Sequence, residues 1–159
     1  MAADARREFE CRTEYLLSYS VGLQAPELIG PVPEGVRATF YLLGGEVRGP
    51  RMNGRVRPVG ADWFTMRRDG VGVLDVRGTI ETADGALVEI SYNGLGDLGP
   101  GGYERMLRGE LPPKLPLRTT PRFRSADPAY EWLHRLICIG VGEVDFVRSE
   151  VSYDVYALR

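Results

Sequence analysis

Hydrophobic and polar residues alternate with a period of two along most of this chain, whereas segments with a helical period are few and short. Successive side chains of a β-strand point to opposite faces of a sheet, so this alternation predicts a β protein. About ten strands are expected, and the residues assigned to them are 13–22, 36–43, 46–49, 54–57, 61–67, 71–82, 86–93, 117–123, 136–144 and 147–158.

Turn residues lie between these segments. The pairs Gly44-Gly45, Asp69-Gly70 and Asp84-Gly85 each fall between two expected strands. An Asp-Gly pair between alternating segments is a strong signal for a β-hairpin, because both residues tolerate the backbone angles of a tight turn. Consecutive strands are therefore expected to pair antiparallel.

Two short segments break the alternation and are expected to be helical. The first covers residues 102–108 and ends at Gly109. The second begins with Asp127 as its N-cap and Pro128 at the first helical position, which is the usual order of these two residue types. Neither helix is long enough to connect two parallel strands.

Glycine and proline are abundant, with 20 and 11 among 159 residues, and they supply turns for many short strands. We expect an N-terminal tail over residues 1–12 and one domain over residues 13–159, with the proline-rich segment 111–116 as an extended crossing loop. An open sheet of this size would leave two long unpaired edges. The sequence therefore predicts a single antiparallel β-barrel of about eight to ten strands, with a β-sandwich as the alternative.

Charge excludes several classes of partner. The formal net charge is −2, and all of the basic residues except Lys114 are arginines. No overall field attracts nucleic acid or an anionic membrane, so neither is expected as a partner. The charged N-terminus does not resemble a signal peptide, and a cytoplasmic protein is expected.

The residues that usually hold cofactors are scarce. Cys11 and Cys138 are expected to be free thiols, and His134 is expected to be structural, so no metal site is predicted. Residues 94–99 match the GxGxxG pattern, but no long helix follows, as a dinucleotide site requires. This segment is interpreted as a mobile loop over one mouth of the barrel, and no cofactor is expected.

The hairpin of residues 71–82 and 86–93 separates two kinds of side chain. With a three-residue loop at residues 83–85, one face is apolar and carries Leu74, Val76, Ile80, Val88, Ile90 and Tyr92. The other face is polar and carries Asp75, Arg77, Thr79, Glu81, Glu89, Ser91 and Asn93. Two interpretations stay open: the polar face is exposed to solvent, or it lines a polar lumen.

The preceding hairpin decides which residue faces Asp62. A two-residue turn at Asp69-Gly70 places Asp62 opposite Arg77 and close to Trp63. A three-residue loop places Asp62 opposite Val76 instead. In the first register, burial raises the pKa of the Asp62 carboxyl group and the charge of Arg77 lowers it. Many acid–base sites have this combination, and structural ion pairs contain the same residue types.

Several short motifs together resemble one bacterial family. They are GGEVRGP at 44–50, GADW at 60–63, DG at 69–70, DVR at 75–77, ADGALVEI at 83–90, Arg118 with Phe123, and WL at 132–133. In order and spacing they are similar to the family known as domain of unknown function 3237, over roughly residues 15–156. The resemblance implies a small β-barrel and favours a polar lumen, since the charged motif positions of the family fall on Asp62, Asp75, Arg77 and Arg118. It implies no particular reaction.

The first functional hypothesis is a cofactor-free enzyme that binds a small, partly apolar, carbonyl-bearing molecule and catalyses an isomerisation, a cyclisation or a lyase step. Asp62 would be the base, and Arg77 and Arg118 would stabilise developing negative charge. The residues expected to bind the substrate are Trp63, Asp75, Tyr92, Asn93 and Glu46.

Two other hypotheses remain. The same barrel could be a non-catalytic module in which the arginines hold a ligand carboxylate. Alternatively, the protein is a structural barrel that forms a homodimer through an apolar outer face. Most of the aromatic residues are expected in the core, although a hydroxyl facing the lumen would orient a planar ligand. These aromatic residues are Tyr15, Tyr19, Tyr41, Trp63, Tyr92, Tyr153 and Tyr156.

Overall fold

The computed structural model describes residues 8–159; of the predicted N-terminal tail, residues 1–7 lie outside the described residues. One helical segment is an α-helix, α1, over Gly102–Leu107, and another, Pro128–Arg135, is a 3-10 helix. The strands are β1 Thr13–Leu23, β2 Glu27–Val32, β3 Gly35–Arg48, β4 Gly54–Met66, β5 Val71–Thr82, β6 Leu87–Asp97, β7 Lys114–Thr119, β8 Arg122–Arg124, β9 Cys138–Asp145 and β10 Glu150–Leu158.

The sheet closes on itself, which confirms the predicted antiparallel barrel. Neighbouring strands follow the order β1-β10-β9-β7-β6-β5-β4-β3, and β3 pairs with β1 to complete the ring. Eight strands form the closed barrel; β2 pairs with the first half of β3, and β8 pairs with β6 outside the ring. Closure leaves no unpaired edge in the ring itself. An open sheet of this size would have two such edges, which can pair with other chains and cause aggregation.

Bulges in β3 and β4 bend the sheet at one corner. The pairing register shifts between Tyr41 and Gly45 in β3 and between Val56 and Gly60 in β4. Gly44 and Gly60 have φ angles of 96° and 100°, which only glycine adopts readily. The prediction of a turn at Gly44-Gly45 is therefore wrong: the two glycines bend one continuous strand, whose first half pairs with β2 and whose second half pairs with β1.

The two hairpin loops around β5 each contain three residues. The amide of Thr82 donates to the carbonyl of Ala86, as predicted for a loop of residues 83–85. The amide of Arg67 donates to the carbonyl of Val71 in the same way, around a loop of residues 68–70. This second loop selects one of the two registers that the sequence left open.

The two helical pieces cover opposite ends of the barrel. The 3-10 helix buries Tyr130 and Leu133, and Asp127 caps it by accepting a hydrogen bond from the amide of Ala129 at 2.9 Å. At the other end, α1 buries Tyr103, which packs with Val36 and Met66. The predicted helix after Asp127 is present, although its turns are 3-10 rather than α. Within residues 8–159, the longest helical segments fall well short of the length and hydrophobicity that a membrane crossing needs.

Several local predictions need correction. Strand β2 was not predicted, and predicted strand 117–123 divides into β7 and β8 around Thr120 and Pro121. The glycine-rich segment 94–99 is not a loop over the mouth, since residues 94–97 belong to β6. A Cβ atom on Gly94 would lie 2.7 Å from the carbonyl oxygen of Arg118, so this glycine lets β7 pack closely against β6.

Candidate functional site

A cavity of about 60 Å³ lies in the half of the barrel that α1 covers. All but three of the lining side chains are apolar, among them Phe40, Phe64, Leu74, Leu115 and Val151. The expectation of a polar lumen is therefore wrong: the apolar face of β5 and β6 points inward, because a small barrel fills its interior with side chains and a polar interior would lose its hydration.

The three polar lining residues, Asp62, Tyr92 and Tyr153, lie at the middle of the barrel. Asp62 in β4 and Tyr92 in β6 both pair with Val76 of β5, which places them at one level. Tyr153 of β10 pairs directly with Tyr19 of β1, and the Tyr153 ring centroid lies 5.5 Å from that of Tyr92. These residues form a polar floor beneath the apolar cavity.

Asp62 is the one buried acidic side chain in the part of the chain that the structure describes. Its side chain accepts a hydrogen bond from the backbone amide of Asp75 at 2.9 Å. Burial raises the pKa of Asp62 to about 7; the nearby negative charge of Asp75 adds to the rise, whereas the Asp75 amide and the charge of Arg37 oppose it. A carboxyl group in this environment takes up and releases a proton near neutral pH.

Tyr19 completes a cluster of three tyrosines with Tyr92 and Tyr153. The Tyr19 ring centroid lies 5.2 Å from that of Tyr153 and 6.5 Å from that of Tyr92. Burial raises the pKa of all three phenols, so they remain protonated across the physiological range. Within residues 8–159, the hydroxyls of Tyr19 and Tyr153 make no hydrogen bond of good geometry, although both lie close enough to Tyr92 for its side chain to contribute to their pKa shifts.

Arg77 and Trp63, two of the predicted site residues, lie on the outside of the barrel. Arg77 is exposed and pairs with Ala61, and its guanidinium lies 5.9 Å from the ring centroid of Trp63. The predicted ion pair between Asp62 and Arg77 in the lumen is therefore wrong. The three-residue loop at 68–70 shifts the register by one position, so Asp62 pairs with Val76 and Ala61 pairs with Arg77. Asp62 therefore shares the inner face with Val76, whereas Arg77 points to the outer face.

The other predicted residues also lie on the outer face. Arg118 is exposed and donates to the carbonyl of Leu117 at 2.8 Å. Glu46 is exposed and forms a salt bridge with Arg48 at 2.9 Å. Asn93 is exposed and donates to the carbonyl of Leu74 at 3.2 Å, and Asp75 reaches the site only through its backbone amide. Of the eight predicted site residues, only Asp62 and Tyr92 share the lumen.

The sequence reasoning did not assign Tyr153 or the aromatic wall of Phe40, Phe64 and Phe146 to the site. The alternation in β10 contained the signal for Tyr153, since it shares a face with the apolar Val151 and Val155. Nothing in the sequence separates that face from any other apolar face, because which residues line a cavity depends on where the core is incompletely filled.

A surface cleft adjoins the cavity and forms its mouth. Both are lined by Leu23, Phe40, Leu111, Val144 and Phe146, so these side chains form the wall between them. The amide of Phe146 donates to the carbonyl of Pro113 at 2.8 Å, which ties the β9–β10 turn to the loop after α1. These side chains separate the surface cleft from the cavity that Asp62 lines.

His134, Cys11 and Cys138 do not line the cavity. His134 accepts a hydrogen bond at Nε2 from the amide of Ser125 at 3.0 Å, as expected for a histidine without a catalytic role. Cys11 is exposed and Cys138 is buried, both as free thiols.

Comparison with known proteins identifies close relatives of this chain. It is 35% identical over 131 residues to the UPF0311 protein RPA1785 of Rhodopseudomonas palustris (strain ATCC BAA-98 / CGA009), which covers 80% of this chain and 85% of that protein. A crystal structure of a protein with unknown function from Clostridium acetobutylicum ATCC 824 matches with a TM-score of 0.84 and 29% identity, over 94% of this chain and 100% of the other.

A more distant structure, described as that of an enzyme from Penicillium herquei, has a TM-score of 0.70 and 18% identity over 98% of this chain and 99% of the other. At that identity the likeness shows a shared fold. The family model described as "Protein of unknown function (DUF3237)" matches residues 11–158. With nearly the whole chain covered and relatives above 30% identity, this protein belongs to the DUF3237 family.

Proposed function

We propose that this protein is a cofactor-independent acid–base enzyme that acts on a small, neutral, largely apolar carbonyl compound held in the barrel. Asp62 is the proton-transfer group. One observation carries the proposal: a buried carboxyl group, without a salt-bridge partner among residues 8–159, faces an otherwise apolar cavity. A buried charge without a partner weakens a fold, and its presence beside a cavity favours a catalytic role.

The environment of Asp62 suits general base catalysis. A base works best when its pKa is close to the working pH, because the ionised form is then available and still accepts a proton readily. Burial sets the pKa of Asp62 to about 7. The Asp75 amide fixes one carboxylate oxygen at 2.9 Å and leaves the other available to a ligand.

The reaction class follows from a single proton-transfer group. When Asp62 takes a proton from a carbon next to a carbonyl and returns it to a different carbon, the ligand is isomerised. When Asp62 takes a proton from a hydroxyl, that oxygen adds to a C=C bond conjugated with the carbonyl, and Asp62 returns the proton to the carbon that receives the electron pair, which closes a ring. When the carbon next to the carbanion carries a leaving group, the carbanion pair forms a C=C bond and the leaving group departs with its bonding electrons, taking the proton from Asp62. Each step is balanced by the carboxylate and the ligand alone.

A second candidate function is a binding module without catalysis. An apolar cavity with a few polar groups at one end is also typical of proteins that carry small ligands. The barrel itself is compatible with either role, and the Penicillium herquei protein of the same fold is described as an enzyme.

The first experiment searches for a ligand that co-purifies with the protein. Native mass spectrometry of freshly purified protein would identify a co-purifying molecule, and prolonged incubation would show whether it is converted. We expect Asp62→Asn to lower turnover by about a hundredfold or more with little change in affinity. Asp154→Asn, which alters an exposed carboxylate outside the barrel, is the matched control. Conversion by Asp62→Asn at the wild-type rate would exclude Asp62 as the base, and an unchanged ligand would favour the binding module.

A further inference from the structure

Three buried hydroxyl groups have no hydrogen-bond partner in good geometry among residues 8–159, and two of them, those of Tyr19 and Tyr153, belong to neighbouring tyrosines inside the barrel. Both side chains are almost fully buried, and they pair directly across β1 and β10. A buried hydroxyl without a partner destabilises a fold, so such groups call for an explanation beyond packing. Phenylalanine would fill the same space without this cost.

Tyr153 also lines the cavity, together with Tyr92 and Asp62. The side chains of all three residues therefore border one space, and the negative charge of Asp62 contributes to the raised pKa of Tyr92 and of Tyr153. The ring centroid of Tyr153 is 5.5 Å from that of Tyr92 and 5.2 Å from that of Tyr19. A neutral O–H donor therefore lies beside a base at the floor of an apolar chamber.

The charges around this floor decide which ligands it accepts. The charged groups that act on Asp62 are Asp75 on β5 and Arg37 on β3. Arg37 does not line the cavity and donates a hydrogen bond to the hydroxyl of Thr65 at 2.6 Å. Arg77 and Arg118 lie outside the barrel. No arginine or lysine among residues 8–159 lines the cavity, so a second negative charge beside ionised Asp62 would be unfavourable.

We propose that the hydroxyl of Tyr153, with Tyr19 and Tyr92 behind it, binds the carbonyl oxygen of the ligand and stabilises the enolate oxygen formed from it. This inference rests on the proposed function and narrows its substrate class to neutral, enolisable carbonyl compounds. Asp62 takes a proton from the carbon next to the carbonyl, the C–H electron pair becomes the C=C bond, and the carbonyl π pair moves to the oxygen that Tyr153 holds. The floor carries one negative charge before and after this step, which suits a site without a cation.

Equilibrium binding tests the donor without any turnover. The probes are 4-methylphenol and toluene, which differ only in the oxygen that Tyr153 would bind. We expect wild-type protein to prefer 4-methylphenol by tenfold or more, and Tyr153→Phe to lose that preference. Tyr130→Phe is the matched control, because Tyr130 is a buried tyrosine at the other end of the barrel and bonds to Asp84. A preference that survives in Tyr153→Phe would overturn the inference.

A measurement on the unmodified protein tests the same site. The probe is 4-nitrophenol, whose phenolate form absorbs visible light. Once both 4-nitrophenol and Asp62 are ionised, the complex must take up a proton, so we expect the affinity to fall about tenfold per pH unit. Asp62→Asn should remove this dependence. An affinity that stays constant in wild-type protein under these conditions would contradict the charge limit of the site.

These outcomes separate the inference from the proposed function. Loss of the phenol preference in Tyr153→Phe supports the oxygen site even when no substrate is converted. Turnover that depends on Asp62, together with a preference unchanged in Tyr153→Phe, would retain the enzyme and reject the oxygen site.

Discussion

Asp62 and Tyr92 stand opposite the same residue, Val76, on the two strands that flank β5. This shared partner sets a carboxyl group and a phenol at one level inside the barrel, with a single strand between them. Side chains across two strands of a curved sheet converge when they point inward. The relationship makes these two residues, with Tyr153, the polar floor of the cavity.

The stability of the protein should decline with pH because of Asp62. The pKa of this carboxyl group is raised to about 7, so between about pH 4 and 7 the folded state binds a proton that the unfolded state has released. The resulting stabilisation is present at low pH and is lost as pH rises to 7. For a shift of this size, the free energy of unfolding falls by about 4 kcal/mol at most over this range. Chemical denaturation of wild-type protein and Asp62→Asn at pH 5 and pH 8 measures it. Asp62→Asn should gain relative stability at pH 8, and an equal difference at both pH values would contradict the assignment.

Under the proposed acid–base function, the activity of the wild-type protein should rise with pH through an apparent pKa near 7. Asp62 acts as a base only when it is ionised, and its pKa is about 7 in the folded protein. The measurement is kcat/KM for the co-purified ligand from pH 5 to 9. Activity that falls through this range would instead make Asp62 a general acid.

Arg118→Met should leave the affinity for a neutral ligand unchanged within about twofold. Arg118 is exposed on the outer face and does not line the cavity, so the sequence-based role of this residue as an anion stabiliser lacks a geometric basis. Surface substitutions of this kind usually change stability by about 0.5 kcal/mol or less. Isothermal titration of the co-purified ligand provides the measurement. A loss of tenfold or more would place Arg118 back in the site.

Phe146→Ala should accelerate ligand association. Phe146 lines both the cavity and the surface cleft. The hydrogen bond from its backbone amide to the carbonyl of Pro113 holds the wall between them. Removing the ring opens the wall and lowers packing contacts with the ligand, so dissociation should accelerate as well. Stopped-flow fluorescence measures both rates. An association rate equal to that of wild type would mean that ligands enter by another route.

Gly60→Ala should destabilise the barrel much more than Gly85→Ala. Both glycines have positive φ, 100° and 89°, which costs an alanine roughly 1–2 kcal/mol. A Cβ atom on Gly60 would also lie 2.2 Å from the carbonyl oxygen of Arg77, whereas nothing lies within 4 Å of that position on Gly85. Thermal unfolding measures the Tm of the two variants. A similar decrease in Tm for both would mean that the bulge at Gly60 accommodates an alanine without strain.

Some features were predictable because the responsible interactions are local. The 83–85 loop, the Asp127 cap and the apolar face of β5 and β6 follow from residues a few positions apart, whose backbone preferences act before any distant contact forms. The closed barrel was predictable for a related reason, since many short antiparallel strands need to remove their edges.

The alternation alone determined that Leu74, Val76 and Tyr92 share one face of the sheet, and that Asp75, Arg77 and Asn93 share the other. Only the tertiary structure decided which face is inside, because both outcomes have the same local pattern. Closure of the barrel placed the apolar face inward and the arginines in solvent. One residue in the 68–70 loop then decided that Asp62 faces the cavity opposite Val76, and the pairing of β1 with β10 brought Tyr19 beside Tyr153 across the length of the chain. Side chains alternate with a period of two, so a shift of the pairing register by one residue changes no local backbone preference but moves every side chain to the other face. The register is therefore chosen by burial of the apolar face along the whole strand.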